Sequence, residues 1–224
     1  MIDWVAIGLS VKLAAITSAL LLALGLPLAW WICFSARRAR RVVEALIALP
    51  LVLPPTVLGF YLLLALGPRS PVGQLYAAIV GDGLVFSFEG LVVASVLYSL
   101  PFAVQPFVAA FEAVPRGLIE ASWCLGRTHW ETFWRVVLPL SARGVLAGVV
   151  LTFAHTLGEF GVVLMIGGNL SGETRTVSVA IYDAVQALDY TAAGQTSALL
   201  VALSFLTLLG LYTTRGGSPW ASRS

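Results

Sequence analysis

Five apolar stretches, each long enough to cross a lipid bilayer, constrain this chain of 224 residues more than any other feature. A helix needs roughly 20 mostly apolar residues to span a hydrocarbon core of about 30 Å. Only 11% of the residues are charged, whereas soluble domains carry about 25%, so soluble-enzyme functions are excluded. We expect an all-α integral membrane protein with a single transmembrane domain over residues 1–224. The predicted spans cover residues 5–34, 42–66, 91–111, 144–166 and 192–212.

The basic residues alternate between the connections that join these spans. Loops rich in Lys and Arg stay in the cytoplasm, so the basic connections mark the inner side. This pattern predicts a multi-pass chain with five crossings, the N-terminus outside and the C-terminus in the cytoplasm. The expected cytoplasmic arginines are Arg37, Arg38, Arg40 and Arg41 in the first connection, Arg116, Arg127, Arg135 and Arg143 in the third, and Arg215 and Arg223 in the tail, against Arg69 and Arg175 outside.

The last outer connection, residues 167–191, contains a short apolar pattern of its own. Apolar side chains recur at helical spacing over residues 177–188. We expect a short helix there, either re-entrant in the membrane or lying at its surface. The residues predicted to share one face are Val177, Ala180, Ile181, Ala184 and Leu188.

The third connection carries unusually dense helix start and stop signals over residues 113–140. Pro115 suits a first helical turn, and Gly126 suits the left-handed residue that follows a helix. Thr128 and Glu131 form a capping-box pattern that opens a second helix, and Pro139 predicts its end near residues 137–138. In the first helix Leu118, Ile119, Ser122 and Leu125 are predicted to share one face. A rigid projection of this kind suits force transmission from a soluble partner; the alternative is an amphipathic segment lying on the membrane surface.

The same segment is similar to the EAA loop of ABC importer permeases. Glu120-Ala121-Ser122, three residues, Gly126, nine residues and Val136-x-Leu138-Pro139 match the pattern EAA-x3-G-x9-I-x-LP, with Ser and Val in place of Ala and Ile. The resemblance implies the type I ABC importer permease fold in a bacterial-type inner membrane. It also implies a coupling helix that docks on a separate cytoplasmic ATPase subunit. The implied ATPase-coupling residues are Glu120, Ala121, Ser122, Gly126, Arg127, Leu138 and Pro139.

Further stretches at residues 49–55, 156–161 and 172–176 resemble the molybdate permease family. Sulfate and tungstate permeases have a similar EAA loop, so these oxyanions stay open as alternative substrates. The resemblance also implies an extracytoplasmic oxyanion-binding protein as a partner, contacted at Glu173 and Arg175 of the last outer loop.

The sequence contains no motif for binding and hydrolysing ATP. Lys12 is the only lysine and follows no glycine loop, so the chain lacks a P-loop for ATP. His129 and His155 are far apart in the predicted topology, and no Asp lies within the five spans. We therefore expect a non-catalytic transport subunit with no metal site, no cofactor and no nucleic-acid partner. A carrier driven by an ion gradient is the alternative function.

The fourth span carries a polar stripe in an otherwise apolar helix. Thr152, His155, Thr156 and Glu159 follow i, i+3, i+4 and i+7 spacing, which places them on one face. Ionisable residues inside a span usually face a bundle interior or an aqueous cavity. With Pro54 and Pro55 of the second span, these residues are predicted to line a translocation path or gate shared with a second copy of the chain. The alternative is a structural network, such as a His155–Glu159 pair beside a static proline kink.

Overall fold

The computed structural model describes residues 2–35 and 39–214, which form helices joined by short connections. The all-α prediction is confirmed. Arg37, Arg38, Arg215 and Arg223 of the predicted cytoplasmic set lie outside the described residues. The helices are α1 (Trp4–Phe34), α2 (Ala39–Val52), α3 (Pro55–Leu66), α4 (Pro71–Val80), α5 (Phe88–Glu112), α6 (Arg116–Cys124), α7 (His129–Thr132), α8 (Leu138–Leu157), α9 (Gly161–Gly167), α10 (Val177–Gln186) and α11 (Tyr190–Thr214), with a π-helical turn at Phe133–Val137 between α7 and α8.

Four of the described helices are long and apolar enough to cross a membrane. They are Trp4–Phe34, Phe88–Glu112, Tyr190–Thr213 and the continuous helix His129–Leu157. A fifth crossing is present if α2 and α3 are taken together, because this pair bends by 116° at a short break. The break falls at Leu53 and Pro54, where each residue precedes a proline and is therefore disfavoured in helical conformation. The predicted second span is thus two helices rather than one.

The region of the predicted fourth span also differs from a simple helix. The predicted end of the second cytoplasmic helix near residues 137–138 is wrong, because the chain continues through the π-helical turn into α8. In this turn the Leu138 N–H donates to the Phe133 carbonyl, five residues back. Pro139 then occupies the first turn of α8, and its lack of an N–H is accommodated where the backbone hydrogen-bond pattern changes from π-helical to α-helical. The helix instead ends at Leu157, and α9 begins only at Gly161.

The interior of the bundle is built from α1, α5 and α8 around Phe107, whose side chain is fully buried. A Cβ atom at Gly25 of α1 would lie 3.1 Å from this ring, and one at Gly148 of α8 would lie 2.6 Å from it. Gly144 is equally close to α5, since a Cβ there would lie 2.4 Å from the Ala110 Cβ. Small residues let membrane helices approach closely, and they set the spacing of these three helices.

The short helix predicted over residues 177–188 is present as α10, over Val177–Gln186. It packs on the first turns of α1, where the Val177 N–H donates to Ser10 Oγ at 2.8 Å. Val177 and Ala180 of the predicted apolar face are buried, but Leu188 lies beyond the helix and is exposed. The Leu188 φ of 59° explains this, because a left-handed residue ends the helical periodicity before that face is completed.

Replacing Gly148 by Ala should destabilise the bundle, because the new methyl group would overlap the immobile Phe107 ring. Overpacking of this kind costs about 1–3 kcal/mol. We expect a thermal unfolding midpoint in detergent several degrees below that of the wild type. Gly210→Ala is the matched control, since nothing lies within 4 Å of a Cβ at that position. Equal midpoints for the two variants would contradict the proposed packing.

Candidate functional site

The third connection contains a helix–turn–helix segment that we call the elbow and define as residues 116–132. Helix α6 begins after Pro115, and the turn that follows places Gly126 at a φ of 79°, as predicted for a left-handed residue. The capping box is also confirmed: the Thr128 N–H donates to Glu131 Oε2 at 2.9 Å, and the Glu131 N–H donates to Thr128 Oγ1 at 3.2 Å. The elbow is thus the short helix α6, a turn at Gly126, and α7, which is the capped start of the helix that continues into α8.

A buried hydrogen bond holds the two arms of the elbow together. Ser122 Oγ of α6 and Thr132 Oγ1 of α7 lie 2.9 Å apart, and both side chains are buried. The Arg127 N–H donates to the Ser122 carbonyl across the turn. Ser122 is the motif position at which this sequence has Ser instead of Ala. Sequence reasoning missed Thr132, although a hydroxyl in place of the methyl group of Ala was a signal that a polar partner lay nearby.

The outer surface of the elbow is accessible and partly apolar. Among the predicted coupling residues, Glu120, Ala121, Gly126 and Pro139 are exposed, whereas Arg127 and Leu138 are half-buried and Ser122 is buried. The predicted apolar face of α6 is partly wrong. Ile119 and Ser122 are buried, but Leu118 is 48% and Leu125 79% exposed, because the bundle covers only a narrow strip of this short helix. Exposed apolar residues beside charges are typical of a protein-binding surface.

The elbow borders a cavity of about 400 Å³, and Glu120 lies at this cavity together with Arg40 and Glu112. Arg40 of α2 donates to Glu44 at 2.9 Å and to Glu112, the last residue of α5, at 2.8 Å. These side chains are part-exposed, so the pairs contribute little stability. They nevertheless hold the start of α2 against the helix end from which the elbow projects.

The polar stripe of α8 faces α5. Thr152 Oγ1 donates to the Gly148 carbonyl of its own helix at 2.8 Å. Ser99 Oγ of α5 lies 3.0 Å from His155 Nδ1 and 2.9 Å from Thr156 Oγ1, so one serine joins both side chains. The His155 ring stacks on Phe102, with 3.8 Å between ring centroids. Sequence reasoning missed Ser99, although Ser95 and Ser99 recur at helical spacing in an apolar span.

Glu159 lies outside α8, in the break before α9, and is only 4% exposed. Neither carboxylate oxygen forms a hydrogen bond of standard geometry with a described residue, although the Ser95 hydroxyl of α5 is close enough to interact with it. No described ion pair joins Glu159 to His155. Glu159 instead lines a cavity of about 430 Å³ with His155 and Pro55. The structure therefore brings together three of the six predicted path residues. Thr152 and Thr156 are buried against other helices, and Pro54 precedes α3 outside the cavity lining.

The two predicted contacts of the last outer loop have different surroundings. Glu173 is exposed and lines a cavity of about 750 Å³ with Lys12, Asp82 and Glu89. Arg175 is half-buried, and its guanidinium lies 3.2 Å from an Asp183 carboxylate oxygen and 3.7 Å from one of Asp3. Arg175 thus connects the loop to Asp183 of α10 and to Asp3, the N-cap of α1. The Glu173 side chain is exposed to solvent.

Residues 14–215 match the family described as "Binding-protein-dependent transport system inner membrane component". The chain belongs to this family, which confirms the family resemblance and the expected membrane location. A member of this family is the membrane component of a transport system, so the prediction of a non-catalytic chain is also confirmed.

Relatives with assigned substrates match over almost the whole chain. The chain is 50% identical over 213 residues to the molybdenum transport system permease protein ModB of Azotobacter vinelandii, covering 95% of this chain and 94% of the relative. It is 34% identical over 212 residues to the ModB protein of Escherichia coli K12, covering 92% and 91%.

The fold is shared with ABC importers of known structure. A bacterial ABC transporter that imports alginate superposes with a TM-score of 0.76 at 18% identity, covering 94% of this chain and 77% of that one. The alginate transporter bound to its periplasmic protein gives a TM-score of 0.75 at 19% identity, covering 92% and 76%. At these identities the match establishes the fold alone.

Replacing Ser99 by Ala should leave His155 Nδ1 and Thr156 Oγ1 without their shared partner. Unsatisfied buried polar groups cost about 1–3 kcal/mol, so we expect a lower thermal unfolding midpoint in detergent. Ser18→Ala is the matched control, because the Ser18 hydroxyl is buried and has no hydrogen-bond partner in the described structure. A Ser99→Ala midpoint no lower than that of Ser18→Ala would show that this network is not stabilising.

Proposed function

We propose that the chain is the membrane-spanning permease subunit of an ABC importer that translocates molybdate. An extracytoplasmic binding protein delivers the oxyanion, and a separate ATPase subunit drives transport. The observation that carries the proposal is the elbow, in which the Glu120–Gly126 motif is held on a rigid and exposed projection. The names of the relatives support molybdate as the substrate.

The elbow has the properties required of a docking site for a soluble motor. Its central turn is defined by Gly126 and by the capping box that starts at Thr128, and its arms are joined by the Ser122–Thr132 bond. A flexible loop would change its own conformation when a bound partner moves, whereas a rigid segment transmits that movement to the helices joined to it. Glu120, Ala121 and Leu125 are exposed, so an ATPase subunit can bind them directly. If α2 and α3 form one crossing, three crossings separate the N-terminus from the elbow. We propose that the elbow is cytoplasmic and the N-terminus outside, because Arg116, Arg127 and Arg135 lie in or beside the elbow.

The translocation path is proposed to form between two copies of the chain. The Pro55–His155–Glu159 cavity lies at the edge of one protomer, beside the bent α2–α3 pair. The exposed side chains of α3, including Phe60 and Tyr61, leave a large apolar face for the second copy. A two-fold arrangement would bring two such cavities towards one axis. The Glu159 carboxylate repels a dianion, so its role is that of a gate that must be withdrawn rather than a ligand.

The opposite end of the bundle is proposed to meet the binding protein. Glu173 is accessible there, and Arg175 contributes indirectly by fixing the loop that presents Glu173. Closure of the ATPase subunits would move the elbow, and the helices connected to it would open the path at this end while the loaded binding protein is docked.

Charge reversal at the two ends of the bundle should separate the two partner contacts. Glu120→Arg should abolish co-purification of the ATPase subunit, because an exposed docking charge is inverted without disturbing the core. Glu173→Arg should keep the ATPase subunit bound but reduce stimulation of hydrolysis by the binding protein. Co-purification from detergent and ATPase rates in proteoliposomes are the measurements. ATPase binding by Glu120→Arg at the wild-type level would contradict docking on the elbow.

The substrate can be assigned with a reconstituted complex of the permease, its ATPase and its binding protein. We expect molybdate-loaded binding protein to stimulate ATP hydrolysis and to support uptake into proteoliposomes. Tungstate and sulfate at equal occupancy of the binding protein are the comparison. Stimulation by sulfate alone would assign the chain to a related oxyanion importer, and uptake without the ATPase subunit would instead favour a gradient-driven carrier.

A further inference from the structure

A buried aromatic side chain, Phe133, connects the elbow to the membrane helices. Phe133 directly follows α7 and is only 4% exposed. Its ring lies edge-on to Trp30 of α1, with 5.1 Å between ring centroids, and edge-on to Phe111 of α5, at 5.8 Å. Both partner rings lie near the ends of long membrane helices. Edge-to-face aromatic pairs have a preferred geometry, so displacement of one ring displaces its neighbours.

The π-helical turn accounts for the inward position of Phe133. Phe133 is the first residue of this turn, and its carbonyl accepts from the Leu138 N–H five residues later. Such turns insert one extra residue into a helix and change the direction of the side chains on either side. Phe133 is buried in the bundle as a result, while the next residue, Trp134, is 48% exposed. Single π-helical turns of this kind are frequent at functional sites.

The elbow is attached to Phe133 without an intervening flexible segment. Thr132, the residue immediately before it, is held by the buried bond to Ser122 of α6. Ile119, also on α6, is 3% exposed and packs in the same apolar cluster as Phe111 and Phe133. Packed side chains at native density cannot deform continuously, so movement of α6 must be passed to this cluster or break its contacts.

We propose that Phe133 is the positioning residue that transmits movement of the elbow to α1 and α5. It acts through packing against Trp30 and Phe111 and touches no substrate. The inference rests on the proposed function, in which an ATPase subunit binds the exposed face of the elbow. It adds that the buried face, and not the docking surface alone, determines how much transport each ATP drives.

The test uses the complete complex of permease, ATPase subunit and binding protein in proteoliposomes, comparing Phe133→Leu and Phe133→Ala with the wild type. Uptake of molybdate and hydrolysis of ATP are measured in the same preparation. We expect both variants to bind the ATPase subunit and hydrolyse ATP, while uptake per ATP falls roughly tenfold for Phe133→Ala and less for Phe133→Leu. Leu140→Ala, an exposed position shortly after the π-helical turn, is the control and should couple normally.

A double substitution identifies the contact through which Phe133 acts. Phe111→Ala alone should also lower uptake per ATP, and Phe111→Ala combined with Phe133→Ala should be no worse than Phe133→Ala alone, because both remove one interaction. Coupling by both Phe133 variants at the level of Leu140→Ala would overturn the inference. If Phe133→Ala does not assemble, the same comparison is made with Phe133→Leu. Failure of the wild-type chain to bind an ATPase subunit would overturn the proposed function and this inference with it.

Discussion

The lack of water in a bilayer core governs the structure of this chain, since backbone and side-chain polar groups there must find partners within the protein. Helices satisfy the backbone, and Gly25, Gly144 and Gly148 let α1, α5 and α8 pack around Phe107. The Ser99 hydroxyl lies within hydrogen-bond distance of both His155 and Thr156. Glu159 is one of several exceptions among the described residues, and the one with an acidic side chain, since its carboxylate is buried at a helix break without a hydrogen bond of standard geometry.

The same constraint accounts for the position of the candidate path residues, which lie where the regular helices stop. Proline residues break the second crossing at Leu53 and Pro54, and α8 ends at Leu157 beside that break. Backbone irregularity inside a membrane is tolerated where protein or a water-filled cavity covers it. The cavity lined by Pro55, His155 and Glu159 lies between these two interruptions. A gate placed there can move without unfolding a long helix.

The elbow has two faces with different surroundings, one exposed to solvent and one packed against the membrane helices. Its exposed face carries Glu120, Ala121 and Leu125, which suit contact with a soluble partner. Its buried face carries Ile119 and Ser122 and leads through Thr132 to Phe133. The EAA-like motif therefore contributes to both faces. Glu120 is exposed to solvent, while the Ser122 hydroxyl bonds to Thr132 and holds the two arms together. In the proposed function, docking and transmission therefore depend on different faces of the same short segment.

The sequence by itself determined the membrane class, the α-helical content, the capping box and the left-handed Gly126, because hydropathy and local backbone chemistry act over a few neighbouring residues. The tertiary structure alone decided which polar residues meet. A helical-wheel argument placed Thr152, His155, Thr156 and Glu159 on one face. In the structure Thr152 bonds to its own helix and Thr156 to Ser99 of α5, and α8 ends before Glu159. Of the four, only His155 and Glu159 line the cavity. Pro139 predicted a helix end, but a π-helical turn carries the helix through this point. The same turn buries Phe133 against Trp30 and Phe111, which are distant from it in sequence. Local rules cannot anticipate contacts whose energy comes from other helices.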